Sequence, residues 1–216
     1  MQYEEWKKLL DEEIRYWEET VSNNNGRFHT IEPWFNPYSE LQDRYRPYVT
    51  PESRIIDVGA AICTKIGKRL NGKKLNITAV DVLATEYNEI LAKNDIIPPV
   101  TTRKCDFESL VSTFGKDSFD FVHCSNAIDH CHNPLDSLQQ LYAITKPGGY
   151  LYVRVHENEA LNCNYLGLHQ FNFYIQDHGV YYADKDANTV LIPFTMQKLE
   201  LVKSGNINLI EFIIKK

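Results

Sequence analysis

Histidines, carboxylates and amides crowd three short stretches of this 216-residue chain. Asp129, His130 and His132 follow the apolar run Phe119–Ser125. His156, Glu157, Asn158 and Glu159 follow a second apolar run, Tyr150–Val155. His169, Gln170 and Asn172 come later, between Gly167 and Phe173. Imidazole titrates near neutrality, so His130, His156 and His169 are each candidates to remove a proton from a hydroxyl. Asp129 is placed beside His130 to orient it or raise its basicity. His169, Gln170 and Asn172, together with Tyr38 and Arg44, suit a polar or anionic ligand. His123, Asp129, His130 and His132 form a metal-binding set on residue type alone. Strand alternation turns His123 away from the loop, so no metal site is expected there.

A second group of residues suits a nucleotide. Arg54-Ile55-Ile56-Asp57-Val58-Gly59-Ala60-Ala61 reads as a buried strand running into a glycine turn. Glycine there lets the backbone approach a ligand closely, and a following helix would aim its N–H groups at that ligand. About 20 residues further on, Ile77-Thr78-Ala79-Val80 ends in Asp81. An acid at that place accepts both hydroxyls of a ribose. These two features fit a dinucleotide and other adenosine-bearing cofactors equally.

The elements that must hold these residues are legible from periodicity. Trp6, Leu9, Leu10, Ile14 and Trp17 mark an amphipathic helix over residues 2–21, which the run Ser22–Gly26 ends. Residues 27–50 are rich in proline and aromatics, including Phe28, Pro33, Trp34, Phe35, Tyr38, Tyr45 and Tyr48. They read as an irregular lid with a short helix near Glu40–Tyr45. From Arg54 onward, short apolar runs alternate with helical stretches, the mark of a parallel sheet covered by helices. The strands are expected at Arg54–Val58, Asn76–Val80, Val100–Cys105, Phe119–Ser125 and Tyr150–Val155. The helices are expected at Thr64–Leu70, Thr85–Lys93, Phe107–Phe114 and Leu135–Ile144. Gln197–Val202 and Asn208–Lys215, joined by Lys203-Ser204-Gly205-Asn206, read as a closing antiparallel hairpin.

The stretch from Phe119 through Ser125-Asn126-Ala127-Ile128-Asp129-His130 to Lys146-Pro147-Gly148-Gly149-Tyr150-Leu151-Tyr152-Val153 resembles the class I S-adenosylmethionine-dependent methyltransferases of the small-molecule type. The likeness covers roughly Arg54–Val155 and, more loosely, the terminal hairpin. It implies an α/β fold with a seven-stranded, mostly parallel Rossmann-like sheet. The implied strand order is 3-2-1-4-5-7-6 with strand 7 antiparallel, helices on both faces and an N-terminal helical lid. Residues 1–50 would be helix and lid, and residues 51–216 the cofactor-binding domain. The resemblance places Asp57, Gly59, Ala60 and Ala61 around the methionine part of S-adenosylmethionine. It places Asp81 and Val82 at the ribose, Asp106 and Phe107 at the adenine, and Ser125 and Asn126 near the sulfonium. His130 lies in the family's cofactor loop, which ranks it ahead of His156 and His169 as base. The sequence departs from the family at the first loop, where the later two of three common glycines are Ala61 and Cys63.

The implied reaction is methyl transfer to an oxygen of a polar small molecule, such as a sugar, nucleotide-sugar or surface-polysaccharide component. Nitrogen or phosphate-type oxygen acceptors are alternatives. So are a nicotinamide oxidoreductase and an inactive subunit of the same fold. A formal charge of -6 argues against nucleic acid and against an anionic membrane surface as partners. Five scattered cysteines read as reduced thiols in a cytoplasmic protein. No apolar run reaches the roughly 20 residues of a membrane span. A monomer or homodimer is expected.

Overall fold

The computed structural model describes residues 2–23 and 34–216. Phe28 and Pro33, read above as part of the lid, lie outside the described residues. The chain begins with α1 (Tyr3–Asn23), then a 3₁₀ helix over Asp43–Tyr48. It continues with β1 (Arg54–Val58), the short strands β2 (Arg69–Leu70) and β3 (Lys73–Lys74), β4 (Asn76–Asp81), α2 (Ala84–Lys93) and β5 (Thr102–Lys104). Next come α3 (Leu110–Phe114), β6 (Phe119–Ser125), α4 (Pro134–Ile144), β7 (Thr145–His156) and α5 (Glu159–Asn162). The remainder is all strand: β8 (Asn172–Gln176), β9 (Gly179–Ala183), β10 (Thr189–Leu191), β11 (Lys198–Ser204) and β12 (Ile207–Lys215).

Seven strands form one sheet in the order β11-β12-β7-β6-β1-β4-β5. Numbered along the chain as seven, this is the order 3-2-1-4-5-7-6 implied by the resemblance. β1, β4, β5, β6 and β7 run parallel, and β12 pairs antiparallel with both β7 and β11. Gly205, at φ +62, opens the two-residue turn between β11 and β12. A positive φ at the first turn position is what a type II′ hairpin needs.

Alternation along each strand divides the core. Ile56, Val58, Val122, Cys124, Leu151, Val153, Ile210 and Phe212 face one way, toward Leu110 of α3 and Leu138, Leu141 and Ile144 of α4. Asn133 caps α4 by accepting the Asp136 amide, and Pro134 opens its first turn. Ile55, Phe121, Tyr152 and Ile213 face the other way, toward Leu41, Tyr45 and Val49. Trp17 and Val21 of α1 join Tyr87, Ile90 and Leu91 of α2 in a third cluster. Leu41, Tyr45 and Val49, which precede β1, are thus built into the same core as the sheet, while α1 packs on α2.

Two expectations fail. Residues 64–70 form no helix: irregular backbone runs into the β2–β3 hairpin. The cause is local. Asn71 (φ +52) and Gly72 (φ +76) make a turn with both central residues left-handed, which a type I′ hairpin requires. Gly67 sits at φ +102, and a Cβ there would meet the Glu40 carbonyl oxygen at 2.3 Å. The Glu40–Leu41 backbone is thus packed directly against Gly67. Cys63 is fully buried and its thiol donates to the Trp34 carbonyl at 3.0 Å, so it crowds no helix. The second failure is the three-stranded sheet β8–β9–β10, unassigned from sequence. Its first turn is Asp177-His178, again both left-handed.

Gly59 (φ +72) is the tightest point of the sheet edge. A Cβ there would lie 2.2 Å from the Cβ of Ala127. Gly59→Ala should therefore cost about 2–4 kcal/mol, combining overpacking with left-handed strain. Adding Ala127→Gly should restore the steric part. Urea unfolding of both single variants and the double variant measures this; strictly additive losses would refute the contact.

Candidate active site

Above the carboxyl ends of β1, β4 and β6 lies a cavity of about 490 Å³. Its wall includes every residue expected at the cofactor: Asp57, Gly59, Ala60, Ala61, Asp81, Val82, Asp106, Phe107, Ser125 and Asn126. Asp129, His130, His156 and His169 line it as well.

The floor is held by Asp81. Its Oδ1 accepts the Leu83 amide at 2.9 Å and its Oδ2 accepts the Ala61 amide at 3.0 Å. The amides of Gly59 and Ala60 both donate to the Val80 carbonyl. The first loop is thereby stitched to the end of β4. Ala61 takes φ +51, a conformation that glycine adopts freely and alanine at a cost near 1 kcal/mol. Burial raises the Asp81 carboxyl to about 6, despite the two amides that favour its charged form. Asp106 also caps the 3₁₀ turn Phe107–Ser109 after β5, accepting the Ser109 amide at 2.9 Å.

One wall comes from α1, which presents Trp6, Leu10, Glu13, Tyr16 and Trp17. Glu13 accepts the Trp17 indole N–H at 2.8 Å. Lys65 lies over the Trp34 ring at 4.0 Å, and burial pushes its ammonium pKa down.

The opposite end is polar. Asn126 (φ +51) donates its amide to the Arg154 carbonyl and holds its side chain 3.1 Å from His156 Nε2. His156 Nδ1 pairs with Glu159 at 2.8 Å. Asp129 is buried, and its Oδ2 lies 3.4 Å from both His130 Nε2 and His169 Nδ1. Burial alone would raise the Asp129 carboxyl; the charge of His130 and the His169 hydrogen bond outweigh it and hold it low. The same hydrogen bond raises His169. Trp6 donates its indole N–H to the His130 carbonyl at 2.6 Å, fixing this loop to α1.

Four residues expected at a ligand lie outside the cavity wall. Tyr38 is 69% exposed and stacks under Arg69. Arg44 pairs with Glu211 at 2.8 Å. Gln170 donates to the carbonyls of Tyr165 and Gly167, and Asn172 donates to Asn158 Oδ1. The last two brace the loop that carries His169.

Sequence reasoning missed His123 and Tyr45. His123 Nδ1 lies 2.6 Å from Asp57 Oδ1, and the Tyr45 hydroxyl lies 3.0 Å from His123 Nε2. Asp57 and His123 stand opposite each other in the parallel β1–β6 register, so both side chains emerge on one face. Each is buried. The expected turning of His123 away from the Asp129 loop is what brings it to Asp57. The pairing was available from the two strand readings once register was known. Tyr45 was legible only as one of the lid aromatics, not as a partner of His123.

A family model described as "Methyltransferase domain" matches residues 57–153, the stretch from the Asp57 turn through β7. Residues 57–153 are thus similar to a methyltransferase domain. A Schizosaccharomyces pombe protein named as an uncharacterized methyltransferase is 28% identical over 111 residues. That alignment covers 48% of this chain and 40% of the yeast protein, so the chain spans less than half of its relative. Among solved structures, the Burkholderia thailandensis 1,6-didemethyltoxoflavin-N1-methyltransferase aligns over 100% of this chain and 91% of its own, at TM-score 0.55 and 17% identity. A SAM-dependent methyltransferase from Aquifex aeolicus aligns over 94% and 97%, at TM-score 0.52 and 14% identity. The methyltransferase fold is thus shared where few residues are. Among the described residues, no helix is long and apolar enough to cross a membrane.

Tyr45→Phe removes the buried partner of His123 Nε2. The variant should lose about 1–3 kcal/mol of stability. Chemical unfolding at neutral pH reads this loss; a wild-type midpoint would mean that the bond adds nothing.

Proposed function

We propose that this protein transfers a methyl group from S-adenosylmethionine to an oxygen of a polar small molecule, of the size and hydroxyl content of a sugar. One observation carries the reading: a single cavity joins the Asp81 end to a polar end lined by Asn126, Asp129, His130, His156 and His169.

The residues fit the cofactor. Each Asp81 oxygen accepts one backbone amide and keeps a second lone pair for a ribose hydroxyl. Phe107, Trp17 and Tyr87 supply apolar wall for an adenine, with Asp106 beside them. Asp57, Gly59, Ala60, Ala61, Ser125 and Asn126 surround the remaining length, where the amino-acid part would lie. When bound, the cofactor supplies a methyl group already activated by positive sulfur, so the protein's main task is alignment.

At the polar end, His130 receives the proton of the acceptor hydroxyl. Asp129 and His169 hold its ring. His156, tied to Glu159 and Asn126, is the next group in reach of an acceptor. Hydroxyl-bearing acceptors suit this lining better than flat apolar ones, because the wall offers imidazole, amide and carboxylate groups. The cavity is of small-molecule size, within the usual ~300–1,000 Å³.

His130→Ala should lower turnover by about 100- to 10,000-fold while cofactor-product affinity stays within a few-fold. Full turnover on the true acceptor would remove His130 from the chemistry. A second outcome follows from Asp81. The ionised carboxylate accepts both ribose hydroxyls, and the protonated form does not. S-adenosylhomocysteine should therefore bind more weakly as pH falls through about 6. Titration calorimetry between pH 7.5 and 5 should find this slope flattened in Asp81→Asn; an equal slope in both proteins would assign it to another group.

A further inference from the structure

Asp129, His130 and His169 do more than share a hydrogen bond. Asp129 Oδ2, His130 Nε2 and His169 Nδ1 form a triangle with edges of 3.4, 3.4 and 3.2 Å. With an N–H on both nitrogens, each ring can donate to Oδ2, but the two N–H groups are then forced within 3.2 Å of each other. The other oxygen, Asp129 Oδ1, is buried and has no hydrogen-bond partner. Asp129 itself is only 3% exposed, yet it lines the cavity. A buried carboxylate oxygen without a partner is costly unless something else meets it.

We propose that Asp129, His130 and His169 bind one divalent transition-metal ion of the zinc type at the acceptor end of the cavity. Two imidazoles and one carboxylate are a common donor set for such ions. For a tetrahedral ion with bonds of about 2.0–2.1 Å, the edge between ligands is about 3.3–3.4 Å. The triangle already has nearly that size, so binding needs little movement. Three protein ligands leave the fourth position to the cavity, as in catalytic rather than structural zinc sites. The surroundings hold the ligands in place. Trp6 fixes the His130 backbone at 2.6 Å, and Gln170 braces the loop that presents His169. Glu159 and Cys163 lie with His169 in a second group of ligand atoms within 4.8 Å of one another.

The role of the ion rests on the proposed methyl transfer; its binding does not. An acceptor hydroxyl entering the fourth position becomes more acidic on coordination. Its O–H bond then breaks heterolytically: the proton passes to water, and the electron pair stays on the metal-bound oxygen. With the ion present, both imidazoles are ligands, and coordination replaces His130 as the means of deprotonation.

The test uses the full chain, stripped with chelator and dialysed against Zn²⁺, with metal content measured per chain. One ion per chain is expected. Co²⁺ loaded in its place should give the intense visible absorption of a tetrahedral site with nitrogen and oxygen donors. Asp129→Asn and His169→Ala should each weaken Zn²⁺ binding at least about 100-fold. His178→Ala, at the β8–β9 turn, should leave it unchanged. S-adenosylhomocysteine affinity within a few-fold of wild type would confirm that each variant is folded, and His169→Gln serves if His169→Ala is not. Well under one ion per chain, or undiminished affinity in both ligand variants, overturns the site. Loss of turnover in His130→Ala without ion binding would then leave the proposed methyl transfer standing. One ion per chain lost in both variants sustains the site even if no methyl transfer is found.

Discussion

The Asp81 carboxylate is the tie on which the cavity depends. It stands at the end of β4 and accepts amide hydrogens from loops on both sides, Ala61 before it and Leu83 after it. The β1 loop cannot drift from the sheet while that bond and the two amides on Val80 persist. Gly59 then lies close enough to the β6 loop to touch Ala127. Three loops are thus registered by one half-buried carboxylate and one glycine. The same burial that makes the tie strong makes the ionised carboxylate costly, which is why its pKa rises to about 6. A structural clamp and a ligand acceptor are the same atoms.

The face of the sheet that the missing helix would have covered is closed by other means. Leu41, Tyr45 and Val49 from the segment before β1 pack there, with Leu70 and Leu75 from around the β2–β3 hairpin. This cover admits polar chemistry. Asp57, His123 and Tyr45 run as a buried chain, and Arg44, Glu211 and Arg154 form an ion-pair group beside it. Buried polar groups are tolerable only when paired, and these are paired across elements distant in sequence. The segment before the first strand is therefore part of the site rather than a covering added to it.

The acceptor end is assembled from still more remote pieces. Asp129 and His130 follow β6, His156 ends β7, and His169 comes from the loop after α5. α1, from the far N-terminus, pins His130 through Trp6. Residues chosen from sequence as ligand contacts, Gln170 and Asn172, instead hold the His169 loop in shape. Gln170 satisfies two backbone carbonyls that a tight loop would otherwise leave bare, and Asn172 links Asn158 to the Leu161 amide.

Local periodicity determined the α/β class, the five parallel strands and the closing hairpin, because each apolar run must bury one face whatever its neighbours are. The Asp57–Gly59 turn and Asp81 were legible for a related reason: a left-handed turn and a strand-end carboxylate are requirements of a few adjacent residues. The absent helix at 64–70 was foreshadowed by Asn71-Gly72, a turn signal overlooked beside an apparently helical stretch. The acceptor-end geometry was not legible. Asp129 and His169 are 40 residues apart, and nothing local dictates that their side chains meet. The Asp57–His123–Tyr45 chain likewise needs the β1–β6 register and the seating of the 3₁₀ helix before it exists. Sequence determined which groups are available; only tertiary structure decided which of them share a proton, a pocket or an ion, because those distances are set by the packing of the whole sheet.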